Sequence, residues 1–458
     1  MWASKTESIC GIIQIIMTVW RIAIVGAGPA GLYCIDAMKK RDIPFQIDVF
    51  DRLPTPYGLL RGGVAPDHQK MKRLESFYEK LLADERVNFY GNVVVGTDIS
   101  MQTLKNYYDS IVVACGAESD KPLPIPGHDL PGHYAATQLV GWYNGHPDYS
   151  ELKWDFSAES VVIIGQGNVA IDVARLLAKT RAELAQSDMP EPMIDALATS
   201  AIRDIHLVGR RGPVQAAFTH MELQELGELA DCQVVINPDD LKLSAACQAE
   251  LSDNRKAQKN MAVLEALAAA PVRETKTRIH IHFFKNPREL VGTDAVTAFG
   301  WTQTQLVDGR AVLTDIQGDI PCSMVFRSVG YRGVPVPQLP FDVSRGVIPN
   351  TAGRVDAASV PGVYVTGWIK RGPTGVLGSN KPDSEETIAT MVDDGIQEAA
   401  VIPDTQHLLS VLEAKGVRVV TESDWYAIKA AEEAAGQVLN KPREKKITRA
   451  DLLDCLSS

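Results

Sequence analysis

Cysteine is sparse and scattered: Cys10, Cys34, Cys115, Cys232, Cys247, Cys322 and Cys455 are the only seven in 458 residues, and no two stand in a C-x-x-C spacing. An odd, dispersed set of thiols argues against a disulfide framework, an iron–sulfur cluster, a zinc ribbon and a dithiol redox pair, and no resident metal is expected. Such thiols suit a reducing compartment. Excess positive charge is also lacking. With 46 Lys and Arg against 57 Asp and Glu the net charge is −11, which disfavours general nucleic-acid binding. The apolar run Ile9 to Met17 falls well short of the ~20 residues of a spanning helix, so no integral membrane segment is expected. That run has neither the basic flank and small-residue cleavage site of a secretory leader nor an arginine-rich amphipathic pattern. Residues 1–18 are read as an extension without assigned function. No repeat of fixed period interrupts the chain.

What is present is an ordinary globular composition, 45% hydrophobic and 22% charged, in a chain longer than one core usually serves. Two domains follow as the expectation. Val19 to Val25 is a β-rich run with Arg21 as its one polar break, as in a strand buried within a parallel sheet. It ends in Gly26-Ala27-Gly28-Pro29-Ala30-Gly31, leads into a helix over Leu32 to Lys40, and is followed by a strand, Gln46 to Phe50, closed by Asp51. A second unit of the same kind starts at Ser160 to Ile164. It continues through Gly165-Gln166-Gly167-Asn168-Val169-Ala170, a helix from Ile171 to about Ala182, and a strand Asp204 to Val208 ending in Gly209-Arg210-Arg211. Between the two lies the strand Ser110 to Ala114. The polar stretch from about Lys242 to Lys276 reads as an excursion in the second domain, and the tail after Ala400 reads as helical.

Each glycine loop is a strand-to-helix turn shaped for a dinucleotide. In the first, Gly26 makes the turn, Gly28 lets the backbone approach a pyrophosphate, and Gly31 lets helix and strand pack closely. The helix start then offers free N–H groups and a positive dipole end to the phosphates. Asp51 stands where an acid accepts a ribose hydroxyl. The second loop is followed by two arginines and no acid. A guanidinium pair suits a 2′-phosphate that a carboxylate would repel, so NADP is favoured there over NAD. FAD in the first loop and NADPH in the second is the simplest assignment. Two further segments stand out: the glycine-rich Tyr57 to His68, and Arg371 to Gly378, whose amides suit an isoalloxazine ring.

From about Arg21 almost to the C-terminus the chain resembles the adrenodoxin reductase family of ferredoxin–NADP reductases. The resemblance is carried by Val64-Ala65-Pro66-Asp67-His68, Gly141-Trp142-Tyr143-Asn144-Gly145, the second glycine loop, Val208 to Pro213, Gly367 to Gly375, and Lys441 to Lys445. It implies an α/β fold with two Rossmann-like dinucleotide-binding domains, the NADP domain (117–340) inserted in the FAD domain (19–116 and 341–458). It implies FAD contacts from Ala30, Asp51, Leu59, Val95, Trp368 and Gly375, Val376 and Leu377. NADP contacts are implied for Gln166, Gly167, Asn168, Val169, Arg210, Arg211, Glu222 and Gly375, and His68 and Glu225 for the flavin–nicotinamide contact. Asp51 departs from the glutamate usual in the family. The implied reaction is hydride transfer between NADPH and FAD, then one-electron transfer with a ferredoxin-type iron–sulfur protein on a separate chain. That partner would meet a local basic face, for which Lys70, Lys72, Arg73, Arg203 and Arg371 are candidates. A reductase of quinones or other small acceptors would share both loops, and so would a nucleotide-sensing module without turnover. The cytoplasm of a bacterium is the expected compartment, ahead of the mitochondrial matrix.

Overall fold

The computed structural model describes residues 19–456 except 357, 397–399, 402 and 403, so the N-terminal extension and Cys10 lie outside the described residues. Strand Trp20–Val25 is buried between Phe45–Phe50 on one side and Ser110–Val113 on the other, all parallel, and this double pairing is why its run carries almost no polar residue. Val87–Tyr90 and Val363–Val365 extend the parallel sheet, and the short antiparallel strands Arg354–Val355 and Asn350–Thr351 complete seven. The chain thus returns after some 250 residues (363 − 113) to lay a strand beside Ser110–Val113.

Between those two strands the chain builds a second sheet. Its order is His133–Ala135, Met324–Arg327, Ser160–Ile164, Asp204–Val208, Thr277–His282, Cys232–Ile236, every neighbour parallel. An antiparallel flap of three strands, Lys285–Val291, Ala298–Val307 and Arg310–Pro321, packs on one face. The outgoing and returning segments meet in a ribbon, Ser119–Asp120 against Tyr331–Arg332, so both crossings run side by side. This is the two-domain, inserted arrangement that the motifs implied.

Two expectations change. The helix after the second loop is Asn168–Ala178: it starts three residues earlier than expected and stops at Lys179, which is extended. The polar stretch after Lys242 folds into helices Ala245–Ser252 and Arg255–Ala268. Met261 and Leu264 of the latter are buried with Leu223 and Leu226, so it is part of the second core and not an excursion from it. Its apolar positions recur at helical spacing beneath a heavily polar surface, which hides the pattern. Among the described residues no helix is long and apolar enough to cross a membrane, and no group of three or more His, Cys, Asp or Glu converges as a metal site. The six described cysteines are unpaired.

Candidate active site

The two loops use the same backbone device. Gly26 has φ +114°, and a Cβ there would lie 2.5 Å from the Ala114 carbonyl oxygen. Gly165 has φ +136°, and its Cβ would lie 2.2 Å from the Ser328 carbonyl oxygen. Each turn is therefore pressed against the end of the neighbouring parallel strand, where only glycine fits. Helices Pro29–Lys39 and Asn168–Ala178 both begin without a side-chain cap, whereas the helices after Ser100, Ser244, Thr421 and Thr448 are capped by those residues. Over Gly167 a Cβ would meet no atom within 4 Å, and over Gly28 only the Gly58 Cα at 3.8 Å. Uncapped N–H groups below open space fit a dinucleotide pyrophosphate.

The first loop is fastened by Asp51. Its Oδ2 accepts from Ala27 N at 2.8 Å and its Oδ1 from Leu53 N at 2.9 Å. Burial pushes its pKa up to about 6, against these backbone bonds. The late chain closes the site: Gly367, at φ +75°, lets Trp368 start its helix against Ala30, Gly367 N donates to Asp383 at 2.6 Å, and Ser384 donates to the Ala30 carbonyl at 2.8 Å. Trp368 packs 5.4 Å from the Tyr331 ring, and Val376 is 70% exposed beside Gly375 and Leu377. Leu59 begins the short helix after Gly58, while Val95 packs into the core behind the sheet through a bridge to Ile99.

In the second loop, side chains expected to reach nucleotide point inward. Gln166 Nε2 donates to the His282 carbonyl at 2.9 Å. Asn168 donates to Glu222 Oε1 and accepts from Thr219 N, each at 2.9 Å. They brace the loop from its side chains, and the Gln166 carbonyl adds bonds from Ala217 N and Phe218 N, both at 2.9 Å. Glu222 Oε2 and Thr219 Oγ1 are buried without partners, orphans that a bound ligand would satisfy. Arg210 and Arg211 are both exposed, their carbonyls tied to the flap by Thr304 Oγ1 at 2.6 Å and Phe284 N at 3.1 Å.

One helical turn beyond Glu222, Glu225 meets His68 from the first domain, Oε2 to Nε2, at 3.0 Å. The two residues expected together are thus brought together across the domain boundary. Burial opposes charge on His68, yet the bond to Glu225 raises its pKa on balance. Burial likewise opposes Glu225, whose pKa is lowered by His68 and Arg175. Around them stand residues the sequence reading did not assign: Arg175 bonds Asp67, Asp172 (2.8 Å) and His68 (2.9 Å), and Lys179 pairs with Asp67 at 2.6 Å. Burial disfavours the Asp67 carboxylate, but these two cations outweigh it and hold its pKa at about 2. The signal was available in Asp172 and Arg175, two charges at i,i+3 within an otherwise apolar helix. An open cleft of about 350 Å³ leads to this cluster, lined by Asp67, His68, Arg175, Lys179, Glu225 and Glu228 among others.

The proposed basic face is corrected in three places. Lys72 is buried, its ammonium held by both oxygens of Asp188 at 2.8 Å. Arg371 is engaged within its own loop by Thr374, Ser379 and Asn380. Arg203 is exposed but precedes strand Asp204–Val208, at the end opposite the nucleotide loops. Lys70 and Arg73 remain exposed near His68.

Residues 20–216 match the family described as pyridine nucleotide-disulphide oxidoreductase. The chain is 41% identical over 457 residues to the mitochondrial NADPH:adrenodoxin oxidoreductase of Arabidopsis thaliana, covering 94% of each. It is 39% identical over 454 residues to the NADPH-ferredoxin reductase FprA of Mycobacterium tuberculosis, covering 95% of this chain and 99% of that one. The structure of that FprA in complex with NADPH superposes with a TM-score of 0.91 at 38% identity, covering 96% of this chain and all (100%) of the other.

Proposed function

We infer the function from one fixed point: the chain belongs to the adrenodoxin reductase family of ferredoxin–NADP reductases. It is an FAD-dependent NADPH oxidoreductase that passes electrons from NADPH to a separate ferredoxin-type iron–sulfur protein. The observation that carries this reading is the contrast between the two loops, one closed by a carboxylate, Asp51, the other ending in Arg210 and Arg211. Bound FAD supplies the conversion between a two-electron hydride donor and a one-electron acceptor.

The chain supplies placement. Gly26, Gly28, Ala30 and Gly31 present backbone to the FAD pyrophosphate, and Asp51 keeps lone pairs for the adenosine ribose. Leu59, Val95, Trp368 and Gly375 to Leu377 are assigned to the flavin side. The backbone of Gln166 to Val169 takes the NADPH pyrophosphate, and Arg210 and Arg211 take the 2′-phosphate. Glu222 and Gly375 are assigned to NADP contacts, a reading supported for Glu222 by its unpartnered Oε2 beside Asn168. Hydride transfer needs no obligatory acid or base, so His68 and Glu225 orient the nicotinamide and hold a proton at His68 Nε2. We assign residues 117–340 to the NADP domain and 19–116 with 341–458 to the FAD domain, supported by the two sheets and the ribbon between them. A bacterial cytoplasmic setting is supported by the mycobacterial relative and the unpaired thiols.

The test is anaerobic. Purified protein should carry a flavin spectrum that NADPH bleaches far faster than NADH, and the reduced protein should pass electrons to ferredoxin faster than to quinones or oxygen. A protein that cannot take up FAD, or that prefers NADH, would overturn the loop assignments. Preference for quinones would leave the loops standing and replace the acceptor. Lys70 and Arg73 are proposed to meet the acidic partner, so ferredoxin reduction should slow as salt rises.

A further inference from the structure

Two groups contend for one nitrogen. His68 Nε2 lies 3.0 Å from Glu225 Oε2 and 2.9 Å from Arg175 Nη2. A ring nitrogen has one in-plane direction, occupied by either a proton or a lone pair. With the proton, Nε2 donates to Glu225 and confronts an Arg175 N–H. Without it, Nε2 accepts from Arg175 and confronts the carboxylate. Both contacts cannot be hydrogen bonds in one protonation state. Glu225 has its own hold on Arg175, whose Nε lies 3.1 Å from the same Oε2, so the acid keeps a countercharge after His68 becomes neutral.

We propose that Arg175 is a positioning residue that takes over His68 from Glu225 when Nε2 loses its proton, keeping the imidazole in one place through both protonation states of turnover. The proposal rests on the reading that His68 and Glu225 serve the redox site. Arg175 is fit for this because it cannot itself give up a proton and its side chain is only 3% exposed. Asp67, from the loop of His68, and Asp172, one turn earlier on the Arg175 helix, fix its guanidinium from two sides. The charges around His68 come from every element packed against it, with Lys70 and Arg73 exposed on the segment that follows it. Asp67 lies on its own loop, Asp172, Arg175 and Lys179 on or just after the second nucleotide helix, and Glu225 on helix His220–Gly227. Glu183 and Glu228 stand at the cleft mouth. The cleft gives water a route to Nε2, and the departing proton passes to that water.

The two partners pull His68 in opposite directions: Glu225 favours its charged form, Arg175 its neutral one. The test follows the His68 ring by NMR in the FAD-loaded protein, assigned by its loss in His68→Gln. Arg175→Gln should raise the titration midpoint by about one pH unit, and Glu225→Gln should lower it by a similar amount. Arg175→Lys keeps the charge without the fork and should restore most of the midpoint. It also serves if the glutamine variant does not fold. Midpoints that stay put, or move the same way in both glutamine variants, overturn the proposal. In steady state with NADPH and ferricyanide, Arg175→Gln should lower kcat mainly on the alkaline side, where neutral His68 has lost its partner, with KM little changed. Opposite NMR shifts with a kcat profile identical to that of the unmodified enzyme would keep the exchange of partners and remove His68 from the redox step. That outcome is the failure of the underlying reading.

Discussion

The two nucleotide loops share a turn and differ in how each is locked. In the first, a third glycine is compulsory: a Cβ at Gly31 would stand 2.1 Å from the Gly26 carbonyl oxygen. In the second, Ala170 occupies the matching place and is fully buried without clash. The first loop is held from the next strand by a carboxylate and the second from within by amide side chains, while the flap binds the end of the strand that follows the second loop's helix. The turn is therefore generic, and the discrimination between cofactors lies in what surrounds it. On the proposed assignment, the carboxylate that ties down backbone amides would also meet a ribose, whereas the exposed side chains of Arg210 and Arg211, whose carbonyls are bound by Thr304 and Phe284, would meet a phosphate.

The largest way to break this contrast is Gly31→Val. The helix must then move off the strand at a cost of about 3 kcal/mol, and the purified protein should lack the flavin spectrum. Ala170→Gly is the control in the other loop and should leave the KM for NADPH within about two-fold, with only ~1 kcal/mol lost in stability. Next, Arg210→Ala with Arg211→Ala should raise the KM for NADPH roughly 100-fold while leaving that for NADH unchanged, because two charge-assisted contacts disappear. Equal loss for both nucleotides would show that the arginines do not read the 2′-phosphate. Asp51→Asn sharpens the comparison in the apoprotein. The folded pKa of Asp51 is raised from 3.8 to about 6, so its ionisation destabilises the fold as pH rises through that window. The asparagine variant should lose that pH dependence, but it keeps only one of the two backbone bonds and turns its own amide N–H against the other donor, so it should melt lower than the parent at pH 7 and retain FAD less well. The smallest effect is expected for Thr304→Val, which removes the hydroxyl bond to the Arg210 carbonyl. About 1 kcal/mol is at stake, or roughly a five-fold rise in the KM for NADPH.

Much of this was legible in the sequence because it is local. A glycine loop between a strand and a helix names its own fold, and Asp51 and Arg210 sit at fixed distances from their loops. Contacts made across the inserted domain were less visible. Lys70, Lys72 and Arg73 read alike as surface charges, but Lys72 is aimed inward at Asp188, far along the chain, by its place in the short helix Gln69–Lys72. Gln166 and Asn168 were expected to touch nucleotide, and their partners His282, Thr219 and Glu222 belong to later elements. Arg175 was hidden within an apolar helix whose charged face only Asp67 and His68 reveal. The resemblance placed His68 and Glu225 near one contact, the structure brings their side chains within 3.0 Å, and nothing in the resemblance pointed to the third residue between them.

The late return of Val363–Val365 to the side of Ser110–Val113 has a consequence for synthesis. At about 5–20 residues per second the ribosome needs roughly 12–50 seconds to make the intervening 250 residues (363 − 113). The second sheet, lying wholly within that interval, is complete before the first has its last three strands. The wall carrying Trp368 and Gly375 emerges later still. A nascent chain therefore has every strand of its second sheet before the wall around the first glycine loop is made.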